Sequence, residues 1–303
     1  MSDELLTIEP TEATQPTARL YPLRDLVAEA ATVAEALHDA RRTGRPIGPV
    51  TGLPTLDREL CGALAPGLHI LHGQPGAGKT AWLLQAACTC QCPALFVTGE
   101  MAPVELLRRI AARVTGEYLN RFKTGEHPPD KARDLFSRAA ASAPLLSILD
   151  ATVAPVRPAE LLDFAQAARA AAPGSPHMLI AVDSVHAWSR GWQEAATEYD
   201  ALNAGLSALR ELAQRLGAAV IGSGERNRAS QAGGLSATAG TRLFEYGSET
   251  LLSLNRDQDA TTTPTGETPV VLKIEKNRHG APGRVVRLLF HGALQRFTED
   301  HIQ

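Results

Sequence analysis

Residues 73–80 read Gly73-Gln74-Pro75-Gly76-Ala77-Gly78-Lys79-Thr80, which fits the spacing G-x-x-x-x-G-K-[ST]. Glycines at this spacing let backbone N–H groups curl around phosphate oxygens with no Cβ in the way. In such a loop the lysine, Lys79, reaches the β and γ phosphates, and the Thr80 hydroxyl holds Mg²⁺. The flanks agree with this reading. Leu68-His69-Ile70-Leu71-His72 predicts a short buried strand, and the run from Thr80 and Ala81 to Ala87 predicts a helix. That helix would aim its positive N-terminal end at the phosphates. Strand, loop and helix in this order predict a nucleoside triphosphate site at residues 73–81.

Composition sets the frame. The chain has 303 residues, 44% of them hydrophobic, and a net charge of −3. That is an ordinary soluble globular composition, long enough for one large α/β domain and an extension. No apolar run is long enough to span a bilayer. Met1-Ser2-Asp3-Glu4 is acidic and lacks the basic and apolar blocks of a secretory signal, so the reading is a cytoplasmic protein. The slightly acidic balance does not announce a nucleic-acid binder; any such contact needs a local basic patch. Cys88, Cys90 and Cys92 cluster, but only Cys88 and Cys92 would share a helix face, and no C-x-x-C pair or nearby histidine completes a tetrahedral set. They read as reduced thiols at a buried helix end.

Outward from the loop, strand and helix patterns alternate. Apolar runs predict strands at 68–72, 94–98, 144–149, 177–183 and 218–223, with helices near 79–90, 102–115, 157–172 and 198–216. Near-continuous runs such as Met178-Leu179-Ile180-Ala181-Val182 fit a parallel sheet covered on both faces. Stretches 249–254, 269–275 and 284–290 alternate more and are joined by turns, which predicts an antiparallel C-terminal extension. Residues 1–19 are polar and aperiodic and predict a disordered tail. Leu23, Leu26, Val27, Ala30, Val33, Ala34 and Leu37 then recur at helical spacing, followed by the linker Arg45-Pro46-Ile47-Gly48-Pro49. This apolar stripe needs a cover, either its own core or a neighbouring subunit.

Two carboxylates fall at strand tips. Asp183 closes the run Met178–Val182, where the second metal-anchoring acid of a phosphate-loop enzyme sits; a loop-capping Asp is the alternative. Glu100 follows Ala94–Thr98, where a carboxylate can polarise an attacking water.

From about residue 22 to 298 the chain resembles the RecA-like motor domain of DnaB-type replicative helicases. Thr51-Gly52-Leu53-Pro54-Thr55-Leu56-Asp57 is similar to a shortened "TGIPTGFTDLD". After the phosphate loop, Phe96-Val97-Thr98-Gly99-Glu100-Met101 resembles "FSLEM", and Asp183-Ser184-Val185-His186 stands at "DYLQ". Gly224-Glu225-Arg226-Asn227-Arg228 stands at "SQLNR", and Lys276-Asn277-Arg278-His279-Gly280 resembles "KQRNG". Leu288-Leu289-Phe290-His291-Gly292 with Arg296-Phe297 resembles the closing "LTFQG…RF". The resemblance implies a RecA-like phosphate-loop NTPase over 51–303, with a mostly parallel sheet, helices on both faces and an antiparallel extension. It implies that residues 20–50 are a linker helix and tether that dock on the next subunit of a hexameric ring. It implies ATP rather than GTP, Mg²⁺ on Thr80 and Asp183, Glu100 as catalytic base, and Lys276 and Arg278 as a pair reaching a neighbour's γ-phosphate. A solvated hairpin pair is the alternative for the last two.

The chain departs from the family in three places. Only about 20 residues precede the linker helix, so the resemblance does not reach the helical collar domain that meets primase. Glu225 replaces the sensor glutamine at a catalytic position, and a carboxylate there repels a γ-phosphate unless Arg226, Arg228 or a metal pairs with it. Ala237-Thr238-Ala239-Gly240 replaces the DNA-facing "RESG" loop. Arg226, Arg228 and Arg242 flank that segment and are the candidate nucleic-acid contacts. Between Trp192 and Phe244 the only aromatic residue is Tyr199, which gives base stacking little support. Two readings follow. One is a ring-forming ATPase coupled to single-stranded DNA, with a replication, recombination or mobile-element partner. The other is an ATP-dependent assembly switch or recombination mediator that does not unwind.

Overall fold

The computed structural model describes residues 20–190, 192, 197–225, 244–257 and 261–300. The expected tail 1–19, the segment 229–241 and Arg226, Arg228 and Arg242 lie outside them. The chain divides into residues 1–45 and 46–303.

In the first unit a 3₁₀ turn, Leu23–Leu26, runs into helix α1 (Val27–Thr43). Gly44 ends the helix with φ 69°, and its N–H reaches the carbonyls of Ala40 and Arg41. Such a left-handed stop favours glycine. Arg42 and Arg45 both pair with Asp39. No residue of α1 is buried, and Leu23, Val27, Val33 and Leu37 of the predicted stripe are exposed.

In the second unit, the described residues form α2 (Pro54–Glu59), β1 (Gly67–Gly73), α3 (Lys79–Thr89), β2 (Ala94–Thr98) and α4 (Pro103–Thr115). Next come α5 (Arg121–Thr124), α6 (Pro129–Ser142), β3 (Leu146–Asp150), α7 (Pro158–Arg169) and β4 (Leu179–Asp183). The chain continues through α8 (Val185–Arg190), α9 (Glu198–Leu216), β5 (Ala219–Glu225) and β6 (Thr250–Arg256). It ends in β7 (Glu267–Asn277), β8 (Val285–His291) and β9 (Arg296–Glu299). The strands make one sheet in the order β3-β2-β4-β5-β1-β6-β7-β8-β9.

The parallel pairs run from β3 to β6, and β7, β8 and β9 are antiparallel. Stretch 249–254, expected in the antiparallel extension, thus joins β1 in parallel and faces the extension only on its other side. The continuous apolar runs have a simple cause: both faces are covered. Leu71, Phe96, Leu179, Ala181 and Ile221 join Trp82 and Leu83 of α3 on one face. Ile70, Val97, Ile180, Val182 and Val220 join Leu206 and Leu209 of α9 on the other. Each such large apolar side chain contributes about 1.5–3 kcal/mol relative to exposure.

Helix α9 takes the bounds its sequence marks, because the Thr197 hydroxyl caps Asp200 N–H at one end and Gly217 (φ 56°) stops the other. Between β2 and β3 the chain builds α4, α5 and α6 where the pattern predicted only one helix. Helix α6 buries only Leu135 and Ala139, so its stripe is faint. Helix α3 stops at Thr89 with Cys90 as its cap, so Cys88 and Cys92 do not share a helix face. All four cysteines are free thiols. No helix among the described residues is long and apolar enough to cross a membrane.

His69 of β1 is 1% exposed, between the Thr250 hydroxyl (2.8 Å from Nδ1) and the Ala65 carbonyl (2.7 Å from Nε2). A carbonyl only accepts, so Nε2 carries the proton of a neutral ring. Burial lowers its pKa to about 4, against the ordinary 6.5. The unfolded chain therefore takes up this proton first as pH falls. Stability is full above about pH 6.5 and declines toward pH 4, by roughly 3 kcal/mol from this group. Urea unfolding of the protein and of His69→Gln at pH 7, 5.5 and 4.5 checks this. The stability difference between them should shift in the variant's favour as pH falls; a constant difference would contradict it.

Candidate nucleotide site

The turn after β1 is shaped for anions. Gly78 opens α3 with φ 97°, and a Cβ there would sit 2.8 Å from Phe297 and 3.1 Å from Phe290. Those two rings stack at 4.4 Å between centroids and form a floor under the loop. Gln85 of α3 ties that floor down by bonding both backbone groups of Phe297, at 3.0 and 2.9 Å. The first-turn N–H groups of α3 point out of the helix N-terminus toward the loop. Lys79 Nζ donates to the carbonyls of Gly73 (3.0 Å) and Gln74 (3.2 Å), which keeps the ammonium over the loop. From β6, Arg256 Nη2 donates to the Gly76 carbonyl at 3.1 Å.

The carboxylates arrive on neighbouring strands. Thr98 of β2 is in register with Asp183 of β4, and Gly99 N–H donates to the Asp183 carbonyl at 2.8 Å. Asp183 and Glu100 therefore end at one level, on the edge of the sheet where β1 gives way to the loop. Asp183 is 5% exposed and accepts from the Ser223 hydroxyl at 2.5 Å and from the Thr80 hydroxyl. Burial raises its pKa above the ordinary carboxylate value, and the negative charge of Glu100 adds to that rise. The hydroxyls of Ser223 and Thr80 and the charge of Lys79 oppose it. Glu100 is exposed and accepts from Ser184 Oγ at 2.6 Å.

This donor set fits Mg²⁺. A buried acid bonded to a threonine hydroxyl offers two hard oxygens, and a cation would offset the charge that burial penalises. Among the described residues no group of three or more His, Cys, Asp and Glu could hold a metal by itself. Substrate phosphates would supply the remaining oxygens, as is usual for this ion.

Glu225 ends β5 with its backbone in register with Gly73, at the same edge; its side chain lies outside the described residues. Lys276 and Arg278 are elsewhere. Lys276 is in register with Leu251 and Asn277 with Thr250, at the start of β6, whereas Leu254 stands beside Gly73. Four residues of strand separate the two levels, about 13 Å. Lys276 and Arg278 thus lie at the opposite edge of the sheet from the loop. Lys276 Nζ donates to the carbonyls of Glu245 (2.6 Å) and Ser248 (2.7 Å). Burial, and then the Arg278 guanidinium, push its pKa below the ordinary lysine value.

Sequence reading singled out the loop and both carboxylates but assigned no part to Ser184, Ser223 or Arg256. Ser223 has a faint signal, a hydroxyl among Gly222 and Gly224 near a strand end. Arg256 has none, because its contact depends on β6 lying beside β1.

Residues 48–299 match the family model described as the DnaB-like helicase C terminal domain. A solved ATPase domain superimposes with a TM-score of 0.76 at 17% identity, covering 91% of this chain and 99% of that one. A DnaB-like replicative helicase, described with its interactions with primase, superimposes with a TM-score of 0.73 at 17% identity, covering 92% and 67%. At that identity the likeness shows the fold. The DNA repair protein RadA of Escherichia coli is 46% identical over 66 residues, and that of Haemophilus influenzae 44% over 68. These stretches are 21% and 22% of this chain, and the chain spans only 14% of either relative's length.

Asp183→Asn should raise the thermal midpoint of the nucleotide-free protein, since it removes a buried charge repelled by Glu100; about 1 kcal/mol is the expected scale. Differential scanning calorimetry in EDTA checks this. An unchanged or lower midpoint would mean that the hydroxyl donors already compensate the charge.

Proposed function

This chain belongs to the family of DnaB-like helicase C-terminal domains, and from that premise we propose that it is a ring-forming motor ATPase coupled to single-stranded DNA. It is a phosphate-loop ATPase of the RecA fold. The observation that carries the finer reading is the division of the candidate residues between two edges of one sheet. The phosphate loop, Asp183 and Glu100 share one edge, and Arg278 lies at the other. One copy cannot bring Arg278 to its own loop; a neighbour in a ring can.

In this reading the backbone of residues 73–81 cradles the phosphates of ATP, and Lys79 neutralises the β and γ groups. Thr80 and Asp183 would hold Mg²⁺, which would supply positive charge against the phosphates. Glu100, oriented by Ser184, positions the attacking water, and Glu225 occupies the sensing position at the end of β5. Arg278 of the neighbour, with Lys276 beside it, meets the charge that spreads over the transferring phosphoryl oxygens, worth about 10³–10⁵ in rate for such an arginine. The exposed stripe of α1 docks on an adjacent subunit and closes a ring of six. Arg226, Arg228 and Arg242 contact phosphates of the single strand. The work is cytoplasmic, beside a replication, recombination or mobile-element partner. The stretch shared with RadA supports a second setting, repair of DNA, for the same motor.

Steady-state ATP hydrolysis with and without a single-stranded oligonucleotide, across a salt series, tests the coupling. Stimulation should fade with salt, by about 0.7 log unit in affinity per log unit of salt for each phosphate neutralised. A flat response, with hydrolysis still lost in Lys79→Ala, would overturn the motor in favour of the assembly switch. Val33→Glu together with Leu37→Glu should dissociate the oligomer, read by light scattering on a sizing column. Each buried apolar side chain lost from an interface costs about 1.5–3 kcal/mol. An unchanged mass would remove α1 from the interface.

A further inference from the structure

The Arg278 guanidinium is seated. Its Nη1 lies 3.2 Å from Glu249 Oε1, while His279 Nε2 lies 2.9 Å from Oε2 of the same carboxylate. Both oxygens of Glu249 therefore face the block 276–279. The main chain repeats the connection, for Arg278 N–H donates to the Glu249 carbonyl at 3.0 Å. One residue earlier, Asn277 Nδ2 donates to the Glu59 carbonyl (3.1 Å), and its Oδ1 accepts from His279 N–H (3.0 Å).

Glu249 is itself held. Its N–H donates to the Leu68 carbonyl of β1 at 2.6 Å, and its side chain is only 18% exposed. It lies across Gly67, where a Cβ would come within 2.4 Å of Glu249 Cγ. Gly67 at φ 135° leaves room that no other residue would. Strand β1 thus touches the phosphate loop at its end and the seat of Arg278 at its start.

We infer that Glu249 is a positioning residue for catalysis between subunits: it fixes the Arg278 guanidinium on β1 so that the remaining N–H edge meets a neighbouring copy's γ-phosphate. The inference rests on the reading of Arg278 as acting on a neighbour. The chemistry fits that task. A guanidinium has five donors, so one nitrogen can stay on Glu249 while the others remain for phosphate. An unheld arginine on a turn samples many rotamers, and misplacement by about 1 Å can lower a rate about 10²-fold. With the Arg278 side chain half exposed, the pair contributes little to stability, and orientation is what it supplies.

Kinetics of Glu249→Gln, Arg278→Ala and the double variant, in the full oligomer with Mg²⁺ and ATP, test this. For Glu249→Gln, kcat should fall about 10- to 100-fold with KM and the thermal midpoint nearly unchanged. Arg278→Ala should fall further, and the double variant should be no worse than Arg278→Ala alone, since Glu249 acts through Arg278. Glu249→Asp, with its carboxylate withdrawn by one methylene, should also lose kcat at constant KM and serves if the neutral variant is unstable. Unchanged kcat in both Glu249 variants, or additive losses in the double variant, would overturn the inference and leave the role of Arg278 standing. Wild-type kcat in Arg278→Ala would overturn the inference together with its premise.

Discussion

The polarity of the parallel sheet is the constraint on which the rest of the molecule depends. Because β1, β2, β4 and β5 run the same way, their carboxyl ends meet at one edge, and Gly73, Glu100, Asp183 and Glu225 are delivered there from distant parts of the chain. Because β7 returns antiparallel to β6, Lys276 and Arg278 are delivered to the other edge. No rotamer change spans that distance. On the proposal that Arg278 serves a neighbour, the two edges are two halves of one site, and in a repeating assembly every copy gives to one neighbour and receives from the other.

Within the nucleotide edge, the tension is electrostatic. Asp183 is buried beside another carboxylate, an arrangement that disfavours its charge. The surrounding hydroxyls of Thr80 and Ser223, and the ammonium of Lys79, restrain that penalty without removing it. A cation beside Asp183 would offset that penalty. The loop above it rests on the stacked Phe290 and Phe297, which Gln85 holds in place, and is braced by Arg256.

What was legible in the sequence was what is local. The glycine loop announces itself because its spacing is a direct record of backbone geometry. Parallel strands such as Leu179–Asp183 are legible because burial on both faces leaves an uninterrupted apolar run, and α9 because Thr197 and Gly217 mark its ends. Helix α6 was not legible, having only two buried positions to impose a period. The parallel pairing of β6 was not legible either, since a strand's partner on each side is a property of topology. The same holds for Ser223 on Asp183 and Glu249 on Arg278, pairs joined across the sheet rather than along the chain. The candidate role of Glu100 came from its strand tip and from the family resemblance, and those of Lys276 and Arg278 from the resemblance of the block 276–280. The structure adds the edge on which each one lies.

In the proposed assembly each active site is completed by a second copy. The most direct measurement mixes Lys79→Ala protein with Arg278→Ala protein under conditions that let subunits exchange. Each should be nearly inactive alone. A one-to-one mixture should recover hydrolysis at the interfaces that pair an intact loop with an intact arginine, about a quarter of those in a randomly mixed ring. A mixture no more active than its components, with exchange verified by a labelled subunit, would contradict the claim and return Arg278 to a role within its own chain.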